Sequence, residues 1–226
     1  MADNTSIEER CPGTCCEGGF ALGRHMTVEF YDCDPKALAD AELVKTVFLR
    51  AAEKSGATVI DANFHEFKLD ITFDYQRGGI ASSQYAIWVE DAAGKPVRTI
   101  FVTCFTATRG FSERPDAVPT WVARFNPAQM TSAQVDAVSG ATPSNGSLHY
   151  TWDGKENQGK PVPAGSYTVF LEGTLYWGTR VLYSAKVRWG NGNAGQVPVT
   201  VHKTGTSKRN RNMIANVRFS HTTTKP

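Results

Sequence analysis

Several things are scarce in this chain, and each scarcity excludes something. Cysteine is rare: the 226 residues include five, Cys11, Cys15, Cys16, Cys33 and Cys104. An odd number, crowded toward the front, excludes the disulfide framework of a small secreted domain. Cys11, Cys15, Cys16 and His25 are soft-metal ligand types, but C-x3-C-C lacks the paired knuckles of a structural zinc site. Flanked by Pro12, Gly13, Gly18 and Gly19, residues 1–21 read as a flexible tail. A charge excess of either sign is also missing. Lys and Arg number 24 against 22 Asp and Glu, a net +2, so no nucleic-acid partner is expected. No run of about 18 apolar residues occurs, so no membrane insertion is expected. The first residues lack the basic-then-apolar order of a secretory signal, which as written points to the cytoplasm.

Familiar catalytic strings are missing too. There is no P-loop, no G-x-S-x-G elbow and no H-E-x-x-H. Gly190 to Gly195 spells G-x-G-x-x-G, but a strand-like Gln196-Val197-Pro198-Val199 follows where a dinucleotide site needs a helix, so it reads as a turn. Lys203, Lys208, Arg209 and Arg211 form a basic patch without interleaved aromatics, which reads as a solvated loop.

What is present divides at about Phe67. With 41% hydrophobic residues, the chain can bury one sizeable core or two small ones. In the first part, Met26, Val28 and Phe30 alternate with polar positions, which predicts a strand over 24–31. Leu43, Val44, Val47, Phe48 and Ala51 recur at helical spacing. With Asp40 as N-cap and Gly56 as stop, they predict a helix over 41–55. β character restarts at Thr58, Val59 and Ile60, completing a β-α-β unit over 22–67. His25 and His65 fit a packed structural role there better than acid-base work.

The strings Leu22-Gly23-Arg24-His25, Val28 to Asp34, Ala51 to Thr58 and Phe64-His65-Glu66-Phe67 resemble, in order and spacing, the small bacterial pyruvoyl-dependent S-adenosylmethionine decarboxylases. The resemblance implies a strand ending in Glu-Ser soon after Phe67, where backbone cleavage turns the serine into a pyruvoyl group. No Glu-Ser dipeptide occurs in the chain, so a pyruvoyl cofactor is not expected and no catalytic residue carries over. A decarboxylase relative of spermidine biosynthesis, inactive for this reason, remains the enzyme alternative.

From Lys68 onward, short strands alternate with turn residues. Leu69, Ile71, Phe73 and Tyr75 keep period two, and Tyr85 to Val89 and Val97 to Phe105 flank a hairpin turn at Asp91 to Pro96. Further strands are predicted over 147–152, 166–172, 180–189, 197–202 and 214–219. An irregular insert over 106–146 has one short helix expected at 127–135. The fold class is therefore α+β overall: a small β-α-β segment followed, over 68–226, by a mainly-β immunoglobulin-like sandwich. In the string Trp152 to Tyr167, a large anchor, a Gly-containing loop and Pro-Ala-Gly precede a Tyr-led strand. It resembles the immunoglobulin-like module of flagellar hook-cap proteins. With Tyr85 to Asp91, Val97 to Ile100 and Trp121, it also resembles a family of predicted periplasmic proteins of unknown function (domain of unknown function 2271). That resemblance implies a periplasmic location.

The string with most chemistry in it is Asp136-Ala137-Val138-Ser139-Gly140-Ala141-Thr142. It resembles the Asp-x-x-Ser/Thr-Gly-Ala-Thr target at which a flavin transferase of extracytosolic proteins esterifies FMN through phosphate to the last threonine. The chemistry needs a hydroxyl in an accessible loop, with small neighbours that let an enzyme and a bulky flavin approach. A chance match in this length is on the order of one in a thousand. A structural role, with Gly140 and Ala141 shaping the crossing into the next strand, fits the same residues. The sequence thus supports three readings: a non-catalytic sandwich carrying covalent FMN at Thr142, with a flavin transferase and redox proteins as partners; the inactive decarboxylase relative; and a protein-interaction module that uses an exposed sheet edge.

Overall fold

The structure, a computed structural model, describes residues 25–31, 58–78, 83–190 and 194–224; the side chains of 25–31, 58–66 and 223–224 are not part of that description. The helix expected over 41–55, the cysteines ahead of Cys104 and the expected tail over 1–21 lie outside the described residues. In chain order the strands are β1 (His25–Tyr31), β2 (Thr58–Tyr75), β3 (Gln84–Asp91), β4 (Pro96–Thr103), β5 (Ser139–Gly140), β6 (Gly146–Trp152), β7 (Gly165–Tyr176), β8 (Thr179–Trp189), β9 (Gly195–Val197), β10 (Thr200–Thr204) and β11 (Ile214–Thr224). Two helices, α1 (Pro119–Phe125) and α2 (Ser132–Val138), sit between β4 and β5.

The strands form two sheets of a mainly-β sandwich. One runs β1-β2-β11-β9, with β6 also paired to β2, and the other runs β10-β8-β7-β3-β4-β5. β2 changes partners along its length: Thr58 to His65 pair parallel with β1, whereas Glu66 to Tyr75 pair antiparallel with β11 and Leu69 to Tyr75 with β6. Period-two patterning explains the second half. Phe67, Leu69, Ile71, Phe73 and Tyr75 are all buried and meet Ile87, Val89, Val169, Leu171, Val187 and Phe219 between the sheets.

Trp152 closes one end of this core. It stands 4.4 Å from Trp189 and 5.4 Å from Tyr167, ring to ring, and its Nε1 donates to Lys155 O at 3.0 Å. Tyr167 in turn donates its hydroxyl to Pro163 O at 2.8 Å, fixing the corner into β7. Gly154, at φ +71°, presses against the Trp189 ring so closely that a Cβ would overlap it. The loop between these anchors also covers the edge of β4: Thr99 N donates to Asn157 Oδ1 at 2.9 Å and Asn157 N to Val97 O at 3.3 Å.

Three local expectations are corrected by the structure. The strand expected over 197–202 is two strands: β9 pairs with β11 in one sheet and β10 with β8 in the other. Pro198 between them has no N–H to give a ladder, so the chain changes sheets there. The helix expected at 127–135 is a 3-10 turn at Pro127–Gln129 and then α2, because Thr131 caps a new helix. β4 stops at Thr103, short of Phe105, where the backbone turns helical into a π-turn at Thr106–Gly110.

Candidate functional site

The residues from the π-turn to α2 lie across the outer face of the second sheet. β3 is therefore buried on both sides: Tyr85, Ile87 and Val89 face the sandwich core, while Ala86 and Trp88 meet Val118, Trp121 and Val135 of the covering segment. Two buried carboxylates hold the cover down. Glu172, fully buried on β7, accepts from Thr120 Oγ1 at 2.7 Å, Thr120 N at 3.0 Å and Trp121 N at 3.2 Å, the open N–H groups of the first turn of α1. Burial pushes its carboxyl above the usual range, although these bonds and Arg180 pull the other way. Glu90 accepts from Trp88 Nε1 at 2.9 Å and pairs with Arg124 Nε at 3.1 Å, and Trp121 Nε1 donates to Thr99 Oγ1 at 3.0 Å.

That clamp positions the Asp136–Thr142 string. α2 starts with a reciprocal capping box, in which Gln134 N donates to Thr131 Oγ1 at 3.3 Å and Thr131 N to Gln134 Oε1 at 2.8 Å. Val135 faces the Trp88 and Trp121 cluster, while Asp136 and Ala137 point outward. Ser139 and Gly140 then pair parallel with Val102 and Thr103, making β5 the last strand of its sheet. Gly140 lies flat on Phe101; a Cβ would come within 2.7 Å of its ring, so the small residue is required here by close approach. Ala141 is exposed and Thr142 half-buried in an irregular segment ahead of β6. Among the described residues the Thr142 hydroxyl has no hydrogen-bond partner. The string is thus one contiguous surface element: an outward carboxylate, an anchored Ser-Gly and a threonine whose oxygen is uncommitted.

Beneath it lies an aromatic stack. Phe101 is 5.1 Å from both Tyr85 and Tyr150, and the two tyrosine hydroxyls meet at 2.6 Å. Burial raises both phenols above their usual range, Tyr85 strongly, so they stay neutral.

The basic patch read as a solvated loop comes apart. Lys203 belongs to β10, and Arg209 stacks over Tyr176 at 4.9 Å while donating to its hydroxyl at 3.2 Å. Lys208 and Arg211 line a cleft with Arg77. Sequence reading missed that cleft and the clamp; a lone carboxylate inside the apolar run Tyr167 to Tyr176 was the available signal for Glu172. Cys104 is exposed and unpaired, and no group of three metal-ligand types gathers among the described residues. No helix among them is long and apolar enough to cross a membrane.

Residues 66–207, well over half of the chain, match a family described as predicted periplasmic protein (DUF2271). The chain belongs to this family. The DUF2271 region thus takes in β3 to β10, including the covering segment and the Asp136–Thr142 string. A second family, S-adenosylmethionine decarboxylase, matches residues 24–81, so the two matches overlap over 66–81, the second half of β2 and the residues just after it. The S-adenosylmethionine decarboxylase proenzyme of Thermodesulfovibrio yellowstonii is 48% identical over 48 residues, 21% of this chain and 36% of that protein. The proenzyme of Thermotoga petrophila is 43% identical over 47 residues, with the same coverage. The chain spans about a third of the length of these curated relatives. Among solved structures, truncated FlgD from Helicobacter pylori is 16% identical with a TM-score of 0.27, over 69% of this chain and 85% of that one.

Proposed function

We propose that this DUF2271 chain is a carrier of covalent FMN, held in phosphodiester linkage to Thr142, and serves as an extracytosolic-type redox protein. The observation that carries the reading is Thr142 itself: the last residue of a transferase-target string, half-buried at the sheet edge, with a hydroxyl that no described residue engages. The surroundings fit the group. Exposed Ala141 leaves the flank of the threonine clear, β5 and α2 hold the loop in place, and Gly140 brings the backbone down onto Phe101.

The chemistry is a phosphoryl transfer without change of oxidation state. Thr142 Oγ attacks the flavin-side phosphorus of FAD, the Oγ–P bond forms and the pyrophosphate P–O bond breaks. AMP leaves, and the hydroxyl proton passes to the transferase or to solvent. A flavin transferase supplies the catalytic groups; this chain supplies the hydroxyl and its presentation. Held at Thr142, the flavin would supply electron exchange with redox partners, while this chain presents and orients it. The reading puts the protein in the periplasm, the compartment named in its family description.

The decarboxylase alternative does not provide a reaction, because the self-cleaving Glu-Ser is absent from the chain. The test is coexpression with a flavin transferase, followed by in-gel flavin fluorescence after denaturation. Wild type and Thr142→Ser should fluoresce and Thr142→Ala should not. Equal fluorescence from Thr142→Ala, or none from wild type, would overturn the proposal.

A further inference from the structure

The end of the sandwich that carries Thr142 also carries a cleft of uncompensated positive charge. β2 finishes there at Tyr75, directly opposite Gly146 at the start of β6 and Ile214 at the start of β11. Past Tyr75, Gln76 N donates to Met213 O at 2.9 Å, and Met213 N to Asn210 O at 2.8 Å. Asn210, held at φ 51°, donates its Nδ2 to Leu175 O at 2.9 Å. These bonds tie segment 208–213 to the ends of β2 and β7. They frame a cleft of about 300 Å³ lined by Met213 and by Gln76, Arg77, Lys208, Asn210, Arg211 and Asn212.

Apart from Met213 those side chains are polar, and three are cationic. Among the described residues neither Arg77, Lys208 nor Arg211 makes an ion pair, and the carboxylate nearest along β2, Asp74, accepts from Asn216 Nδ2 at 2.6 Å. Three unpaired cations in one cleft, in a chain whose formal net charge is only +2, make a local field that favours an anion. Amide donors beside guanidinium forks are the groups that hold phosphate oxygens.

The cleft is joined to the target string. Arg77 N donates to Asn145 Oδ1 at 2.8 Å, and Asn145 is three residues beyond Thr142, a span of at most about 10 Å. We infer that the Arg77, Lys208 and Arg211 cleft seats the anionic phosphate end of the flavin nucleotide attached at Thr142. The inference rests on the proposed FMN linkage and adds to it a named seat. The phosphodiester carries one negative charge, which the field of the two guanidinium groups and the ammonium attracts, and the amides of Gln76 and Asn212 complete its hydrogen bonding.

The test compares three flavinylated proteins: wild type, Arg77→Gln/Arg211→Gln, and Lys95→Gln as a control in the opposite-end turn. Lys208→Gln is carried alongside in case the double variant folds poorly. Adduct mass and flavin fluorescence anisotropy are read at low and high salt. All should carry the adduct. Wild type and Lys95→Gln should hold the flavin at high anisotropy that falls with salt. The double variant should give the low, salt-independent value of a freely turning tethered flavin, with Lys208→Gln in between. Full adduct with equal anisotropy in wild type and both cleft variants would overturn the seat while leaving the linkage standing. Absence of adduct in wild type would remove the linkage and the seat with it.

Discussion

The two ends of the sandwich are built on opposite principles. At one, Trp152, Tyr167, Trp189 and Phe67 pack ring against ring, and Tyr167 and Trp152 spend their polar atoms on nearby carbonyls. At the other, polar capacity is left unspent: among the described residues Thr142 Oγ has no partner and the three cleft cations have no counter-ions, and Trp177 is 58% exposed beneath the Arg114 guanidinium at 4.7 Å. Both ends are made by the same strands, so the difference is not one of scaffold. Stability is concentrated where side chains satisfy one another, and binding capacity where they do not.

The sharpest way to break the comparison is to damage the closed end. Trp152→Ala should destabilise the fold by about 3–5 kcal/mol through the cavity it leaves, read from urea denaturation, yet the protein that remains folded should still accept flavin. Next is the clamp. Glu172→Ala strands the Thr120 and Trp121 N–H groups in a buried site and should cost about 2 kcal/mol or more, with faster hydrogen exchange concentrated in α1.

A smaller effect should come from pH. His221 packs 4.6 Å from Phe67, and burial lowers its pKa from the usual 6.5. The folded state therefore holds it neutral while the unfolded chain binds a proton. Stability is full above about 6.5 and is lost as pH falls from there toward the folded value. Between pH 8 and 5 this lowers the denaturation midpoint, against an opposing gain from the raised Glu172 carboxyl, and His221→Gln should remove the lowering part, giving a smaller fall or a larger rise than wild type. The smallest effect on the fold belongs to the open end: Thr142→Ala should shift stability by less than about 0.5 kcal/mol while removing flavin attachment altogether.

The closed end was the more legible in sequence. Alternation of Leu69, Ile71, Phe73 and Tyr75 fixes which face of β2 is buried, and the Trp152 to Tyr167 string announces its anchors by residue type and turn chemistry. The Asp136–Thr142 string was readable as chemistry because its spacing is local. The cleft was not: Arg77 is more than a hundred residues from Lys208 and Arg211, and strand pairing of β2 with β11 is what joins them. By local pattern 197–202 reads as one strand through Pro198, because whether that residue ends a strand or passes it to the other sheet depends on partners that the local sequence does not name. Glu172 stands out in sequence only as a lone carboxylate in an apolar run; its partners are named only by the covering segment, which sets a helix start against it.

The most direct test of the account is the intact mass of protein coexpressed with a flavin transferase, followed by peptide mapping. One added FMN phosphoryl group, located on the peptide that contains Thr142, is the expected result. An unmodified chain, or flavin on any other residue, would contradict it.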